Sequence, residues 1–139
     1  MFLDASVIIA IIAREQGWEE IVKRLETSDG DFVISPVSRF EAVLGLARKY
    51  NPGGAAKSKT TILVARAAVD EFLSAVTASE IAISPEIGAA ALEAAMIYGK
   101  AVGHRADLNF GDCFSYACAK TMKIALCYKG DDFALTDLA

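Results

Sequence analysis

Apolar positions along this chain fall into short continuous runs that alternate with longer stretches of helical period. Phe2 and Leu3 form a brief apolar strand that ends at Asp4. Residues 6–14 are apolar on nearly all sides, which predicts a buried helix. Residues 18–25 predict a second helix, with Glu19, Glu20, Lys23 and Arg24 on its wet face. A Ser-Asp-Gly-Asp turn at 28–31 leads into Phe32, Val33 and Ile34, a strand of the buried parallel kind. Ser35 and Pro36 then open a helix to about Arg48, the serine as cap and the proline in the first turn. Asn51, Pro52, Gly53 and Gly54 break the chain before a long helix over 60–76. Ile81, Ala82 and Ile83 predict a third strand, and Ser84-Pro85 repeats the helix start, with that helix running to about Tyr98. Residues 99–110 read as a loop, 111–122 as a helix and 124–127 as a fourth strand, followed by a turn at Gly130, Asp131 and Asp132.

Strands that alternate with helices predict an α/β fold, a central parallel sheet of about four to five strands flanked by helices. With 139 residues, 54% of them hydrophobic, the chain fits a single domain over 1–139 with a substantial core. No internal repeat or low-complexity run interrupts it. The net charge of −4 argues against gripping nucleic acid by bulk positive charge. It leaves open nucleic-acid chemistry at a carboxylate cluster, which becomes locally less negative when a divalent metal binds. Cys113, Cys118 and Cys127 include no C-x-x-C pair, and His104 is the only histidine, so zinc is not expected. Three thiols without obvious pairing suit a reducing cytosol. The apolar start at 7–13 has no basic segment before it and is too short to span a bilayer, so it reads as buried protein, neither a signal nor a membrane anchor.

The acids carry the candidate chemistry. In open parallel sheets, sites gather beyond the carboxyl ends of the strands, and Asp4 lies at such an end. It is equally a good N-cap for the following helix. Glu41 has Val37, Leu44 and Gly45 on its side of a helix, where an ordinary solvated glutamate would have polar neighbours. The bland alternative is a glutamate at the edge of the apolar stripe, paired with Arg48. Asp112 sits in a helix first turn, which the helix dipole favours without any function. Asn109 is an equally good cap there. Asp131 and Asp132 follow the fourth strand, where acids are common as turn chemistry. Together these residues place carboxylates near the ends of three strands and on a facing helix. Such a group repels itself unless a cation neutralises it, and hard oxygen donors suit Mg²⁺ or Mn²⁺.

Four blocks of the chain resemble one family. "FLDASVIIAII" looks like the opening of PIN domains, and "SPVSRFEAVLGL" resembles their second block, with a glutamate in a helix soon after a strand. "RADLNFGDCFSYACAK" is similar to the "LNxGDCFxYAxAK" segment of VapC-type toxins, and "ALCYKGDDFALTDL" to their closing "LLFKGxDFxxTDI". The blocks run in family order over essentially the whole chain; Cys127 stands where relatives often have an apolar residue. The resemblance to PIN-domain ribonuclease toxins implies a Mg²⁺-dependent endoribonuclease, with Mn²⁺ as a substitute. It implies Asp4 and Asp112 as direct metal ligands, with Glu41 and the Asp131/Asp132 turn completing the shell. It also implies an RNA substrate, a VapB-type antitoxin partner, a homodimer and a cytoplasmic location. Within the adjacent pair, Asp131 is expected nearest Asp4 and Asp112, because it is closer to the strand, while Asp132 braces the turn.

Other residues have weaker readings. His104, Arg105, Lys100 and Lys129 either contact substrate phosphates or are solvated loop charges. Ser6 is expected to hydrogen-bond Asp4 or a metal-bound water, and neither Ser6 nor Ser115 has a histidine beside it in sequence to make it a nucleophile. A dehalogenase-like phosphatase would need a second aspartate where Ser6 stands. A non-catalytic PIN-like module that binds RNA or protein is the alternative from another class, and loss of an acid would favour it.

Overall fold

The computed structural model describes residues 1–51 and 59–138. The predicted break at Pro52, Gly53 and Gly54 lies outside the described residues. Four short strands, β1 (Phe2–Leu3), β2 (Val33–Ile34), β3 (Ser79–Glu80) and β4 (Leu126–Cys127), form one sheet in the order β3-β2-β1-β4. Every neighbouring pair is parallel, as the alternation of strands and helices predicts. The helices are α1 (Ala5–Ile12), α2 (Trp18–Glu26), α3 (Pro36–Tyr50), α4 (Lys59–Ala75), α5 (Pro85–Tyr98) and α6 (Phe110–Met122).

Side chains alternate across each strand, so the sheet divides its residues between two layers. Phe2, Val33 and Leu126 face one way and pack with Ile87, Ala91, Tyr116 and Ala117 of α5 and α6. Leu3, Ile34 and Cys127 face the other way, toward α1, α2, α3 and α4, through Val7, Ile8, Leu46, Val69 and Leu25. Each large apolar side chain buried in this way contributes roughly 1.5–3 kcal/mol. The C-terminal segment is tied to α6: Tyr116 Oη donates to Asp137 at 2.6 Å, and Lys120 pairs with the same carboxylate. Phe133 is buried against Tyr128 there. The three cysteines are free and buried.

Serine caps start two helices where expected. Ser35 accepts from Ser38 N and Ser84 from Ile87 N, each with proline inside the first turn. Two boundaries differ from expectation. The third strand is Ser79–Glu80, not the apolar run Ile81, Ala82 and Ile83. Thr77, at φ +52°, turns the chain out of α4 directly onto the sheet edge. Ser79 N then bonds Phe32 O and Ile81 N bonds Ile34 O, each at 2.9 Å, and the pairing stops. Ile81 and Ile83 pack partly buried onto the α5–α6 core instead of extending the ladder. An edge strand tolerates polar residues because one side faces water. The loop after α5 also holds a short 3-10 helix, Lys100–Val102, and a bridge between Gly99 and Leu108.

The chain runs β1, β2, β3 in one direction and then crosses back to place β4 on the other side of β1. The strand order therefore reverses between β1 and β4, where open α/β sheets leave a crevice beyond the strand ends. Asp4 follows β1 and the Gly130 turn follows β4 at that point.

Candidate active site

Asp4 is extended (φ −73°, ψ 155°) and caps α1. Its Oδ2 accepts from Ser6 N at 2.8 Å and Ser6 Oγ at 2.6 Å, and its Oδ1 accepts from Ser115 Oγ at 2.7 Å. Capping and site roles thus fall on one side chain, which is only 5% exposed. Ser6 Oγ in turn accepts from Lys129 N at 3.0 Å, which ties the β4 exit to the start of α1. The expected bond from Ser6 to Asp4 is present.

Asp112 is 9% exposed at the start of α6. Asn109 accepts from Gly111 N and Asp112 N, while Asp112 Oδ2 accepts from Asn109 N at 2.8 Å, a reciprocal capping box. Glu41 reaches the same place from α3. A β-carbon at position 111 would overlap the Glu41 carboxyl group, so the glycine is what lets the glutamate lie against the first turn of α6.

The acids act on one another's proton affinity. Burial, then the charges of Asp4 and Asp112, push Glu41 up to about 7, with Arg48 offsetting part of the rise. Burial raises Asp112 to about 6; the Asn109 backbone bond opposes that, and Asp4, Asp132 and Asp107 add to it. Asp132 is raised by burial and then by Asp4, Asp107 and Asp131. Of the adjacent pair, Asp132 is the one whose charge bears on Asp112. Gly130, at φ +99°, swings the chain after β4, and Asp131 O accepts from Ala134 N at 3.0 Å in the turn that follows.

Among the described residues, no three His, Cys, Asp or Glu side chains stand close enough to form a metal cage by themselves. The donors are hard carboxylate oxygens that raise one another's proton affinity. That chemistry fits a Mg²⁺ ion held by one or two carboxylates and completed by water, the usual mode for this cation.

His104 is not part of this cluster. Its Nδ1 accepts from Ala106 N at 3.1 Å and its ring meets Tyr98 edge-on, a local structural role. Lys100 lies 3.9 Å from Asp107, whose charge reaches Asp112 and Asp132. A feature with no local signal is a chain of buried hydroxyls behind Asp4. Ser35 and Ser38 Oγ are 3.0 Å apart, Ser38 and Ser115 Oγ 3.3 Å, and Ser115 donates to Asp4. All three serines are fully buried, and the only hint in sequence is polar residues at core positions of two helices.

Comparison with known proteins agrees with this architecture. Residues 1–138 match the PIN domain model. A VapC ribonuclease of Rhizobium meliloti is 48% identical over 99% of this chain and 98% of its own length. Ribonuclease VapC30 of Mycobacterium tuberculosis is 34% identical over 100% of this chain and 96% of its own. The crystal structure of Mycobacterium tuberculosis VapC20, a sarcin-ricin loop cleaving toxin, superposes with a TM-score of 0.74 at 17% identity, covering 99% of this chain and 95% of that one. A toxin-antitoxin complex from Klebsiella pneumoniae gives a TM-score of 0.65 at 21% identity, covering 98% and 92%. The chain belongs to the PIN-domain family and, within it, to the VapC ribonucleases.

Proposed function

We propose that this protein is the ribonuclease toxin of a toxin–antitoxin pair and hydrolyses RNA phosphodiester bonds at the Asp4–Glu41–Asp112–Asp132 cluster. What supports the reading is that these acids, from four separate segments, lie within one another's electrostatic reach, with Glu41 against the first turn of α6 beside Asp112. Asp4 and Asp112 would hold Mg²⁺ or Mn²⁺, with Glu41 and Asp132 completing the shell through water. Bound there, the ion supplies Lewis-acid polarisation of the scissile phosphate and an acidified water. Ser6 and Ser115 orient both Asp4 oxygens, and Asn109 fixes Asp112. Asp131 is assigned to the turn.

The RNA substrate, the VapB-type antitoxin, the homodimer and the cytoplasmic location belong to the same reading. Exposed Phe40, Ile62 and Leu63 on α3 and α4 offer an apolar face of the kind an antitoxin helix covers. Among the described residues no helix is long and apolar enough to cross a membrane. The test is cleavage of total RNA by purified protein, mapped by end sequencing. Cleavage is expected with Mg²⁺, not with EDTA and not with Asp4→Asn. Undiminished cleavage in EDTA, with contaminating nucleases excluded, rules out the cluster as the catalyst.

A further inference from the structure

The acid cluster adjoins a groove of about 610 Å³ whose lining includes Ser6, Gly45, Arg48, Lys49, Lys129 and Glu15. Ser6 belongs to both places, since it bonds Asp4 and lines the groove. Helix α3 continues from one to the other: Glu41, Gly45 and Arg48 recur at helical spacing on one face. A β-carbon at Gly45 would overlap the Ile9 side chain, so α1 and α3 close tightly beneath the groove. Arg48 and Lys49 are exposed at the end of α3, and Lys129 enters from the β4 exit.

Glu15, in the link between α1 and α2, joins the two lysines. It pairs with Lys49 through one oxygen and with Lys129 at 2.5 Å through the other. Those two partners hold its carboxyl below the usual range. The bland account is an ion-pair network that fastens three segments together. Lys49 is exposed and Glu15 and Lys129 are half-buried, so water still reaches these pairs and each contributes about 1 kcal/mol or less. Within the groove lining three cations stand with one anion, although Arg48 also faces Glu41 beyond it, so the lining is locally positive on a chain whose net charge is −4. A phosphate backbone approaching a cluster of carboxylates needs such a surplus beside it.

We propose that this groove is the track for the RNA backbone on one side of the cut, with Arg48, Lys49 and Lys129 binding phosphates and Glu15 holding the two lysines until a phosphate displaces it. The proposal rests on the ribonuclease reading and deepens it. Phosphate contacts position the strand without reading its sequence, so the track serves any single-stranded RNA.

The test measures binding of a short fluorescent single-stranded RNA to the full chain in EDTA, by anisotropy over a range of KCl. Lys49→Gln/Lys129→Gln should bind about tenfold more weakly at low salt, with a log–log salt slope shallower by about 1.4, since each lost contact on single strands removes about 0.7. Glu15→Gln should bind several-fold more tightly. Lys23→Gln, on exposed α2, should match the wild type, and Lys49→Arg/Lys129→Arg should restore binding. Thermal melting confirms that each variant is folded. An unchanged affinity and slope in the Gln double variant, or no measurable binding by the wild type, overturns the track. Weaker binding by Glu15→Gln overturns the displacement role. Parallel assays with Mg²⁺ separate the two claims. Groove-dependent binding without any cleavage defeats the ribonuclease reading and leaves the track standing. Cleavage that is indifferent to the Gln double variant does the reverse.

Discussion

Asp131 and Asp132 are neighbours with the same side chain, and the proposed site uses only the second. Sequence places both beyond β4 and offers no periodicity to orient them, because a left-handed Gly130 breaks the alternation of a strand. The charge of Asp132 is the one that reaches Asp112. Asp132→Asn is therefore expected to lower RNA cleavage by about tenfold or more, with extra Mg²⁺ restoring part of it. Asp131→Asn should stay within about twofold of wild type across the same magnesium titration. The opposite ranking would return the fourth position to Asp131. Gly111 is the other telling residue. Alanine there puts a methyl group where the Glu41 carboxyl lies. Overpacking of this kind costs roughly 1–3 kcal/mol, and the relief available is to push Glu41 away. Gly111→Ala should thus lower cleavage about as far as Glu41→Gln does, while melting as one cooperative transition. Wild-type activity in Gly111→Ala would mean that Glu41 has no part in the reaction.

Elements whose starts depend on local chemistry are legible in sequence. Ser35-Pro36, Ser84-Pro85 and Asn109 each cap a helix with their own side chains, within three residues of the cap. The parallel strands next to β1 are legible because both of their faces are buried. Strand β3 is not, since an edge strand can be polar and the apolar Ile81 and Ile83 serve the α5–α6 layer instead. The acids Asp4, Glu41 and Asp112 are legible as unusual placements, and their meeting comes from tertiary approach. The buried serines are the least legible, because Ser115 meets Asp4 across 111 residues of chain. Removing that hydroxyl leaves Asp4 Oδ1 and Ser38 short of a partner in a buried place. Ser115→Ala should cost about 1–3 kcal/mol of stability and should weaken Mn²⁺ binding, measured by calorimetry, as Asp4 loses its fixed orientation. Unaltered Mn²⁺ affinity in a destabilised Ser115→Ala protein would confine the hydroxyl chain to a structural role.

At the scale of the whole molecule, the site sets how stability responds to pH and metal. Glu41 is raised from 4.5 to about 7 and Asp112 from 3.8 to about 6, in each case first by burial. The folded, metal-free protein therefore holds these protons more tightly than the unfolded chain does. Their contribution to stability is complete below the unfolded values and is lost as pH rises through the folded ones. Glu15 and Asp137 act in the opposite sense: their lysine partners depress them, so their contribution is present at higher pH and is lost on acidification. The metal-free protein should be most stable in mildly acidic solution, should soften as pH climbs toward about 7, and should level off above it. In the proposed site a divalent cation would replace those protons, since carboxylates bind metal in the ionised form. Added Mg²⁺ should raise the melting temperature more at about pH 8 than at about pH 5.5, where protons compete for the same oxygens. Glu41→Gln should melt higher than wild type in EDTA at about pH 8, and it should flatten the fall between about pH 5 and 7, because the group that resists ionisation is gone. The measurement is thermal melting across this pH range, in EDTA and in Mg²⁺, for both proteins. A magnesium effect that is equal at all pH values, or larger in acid, would show that the ion binds somewhere other than among Asp4, Glu41 and Asp112.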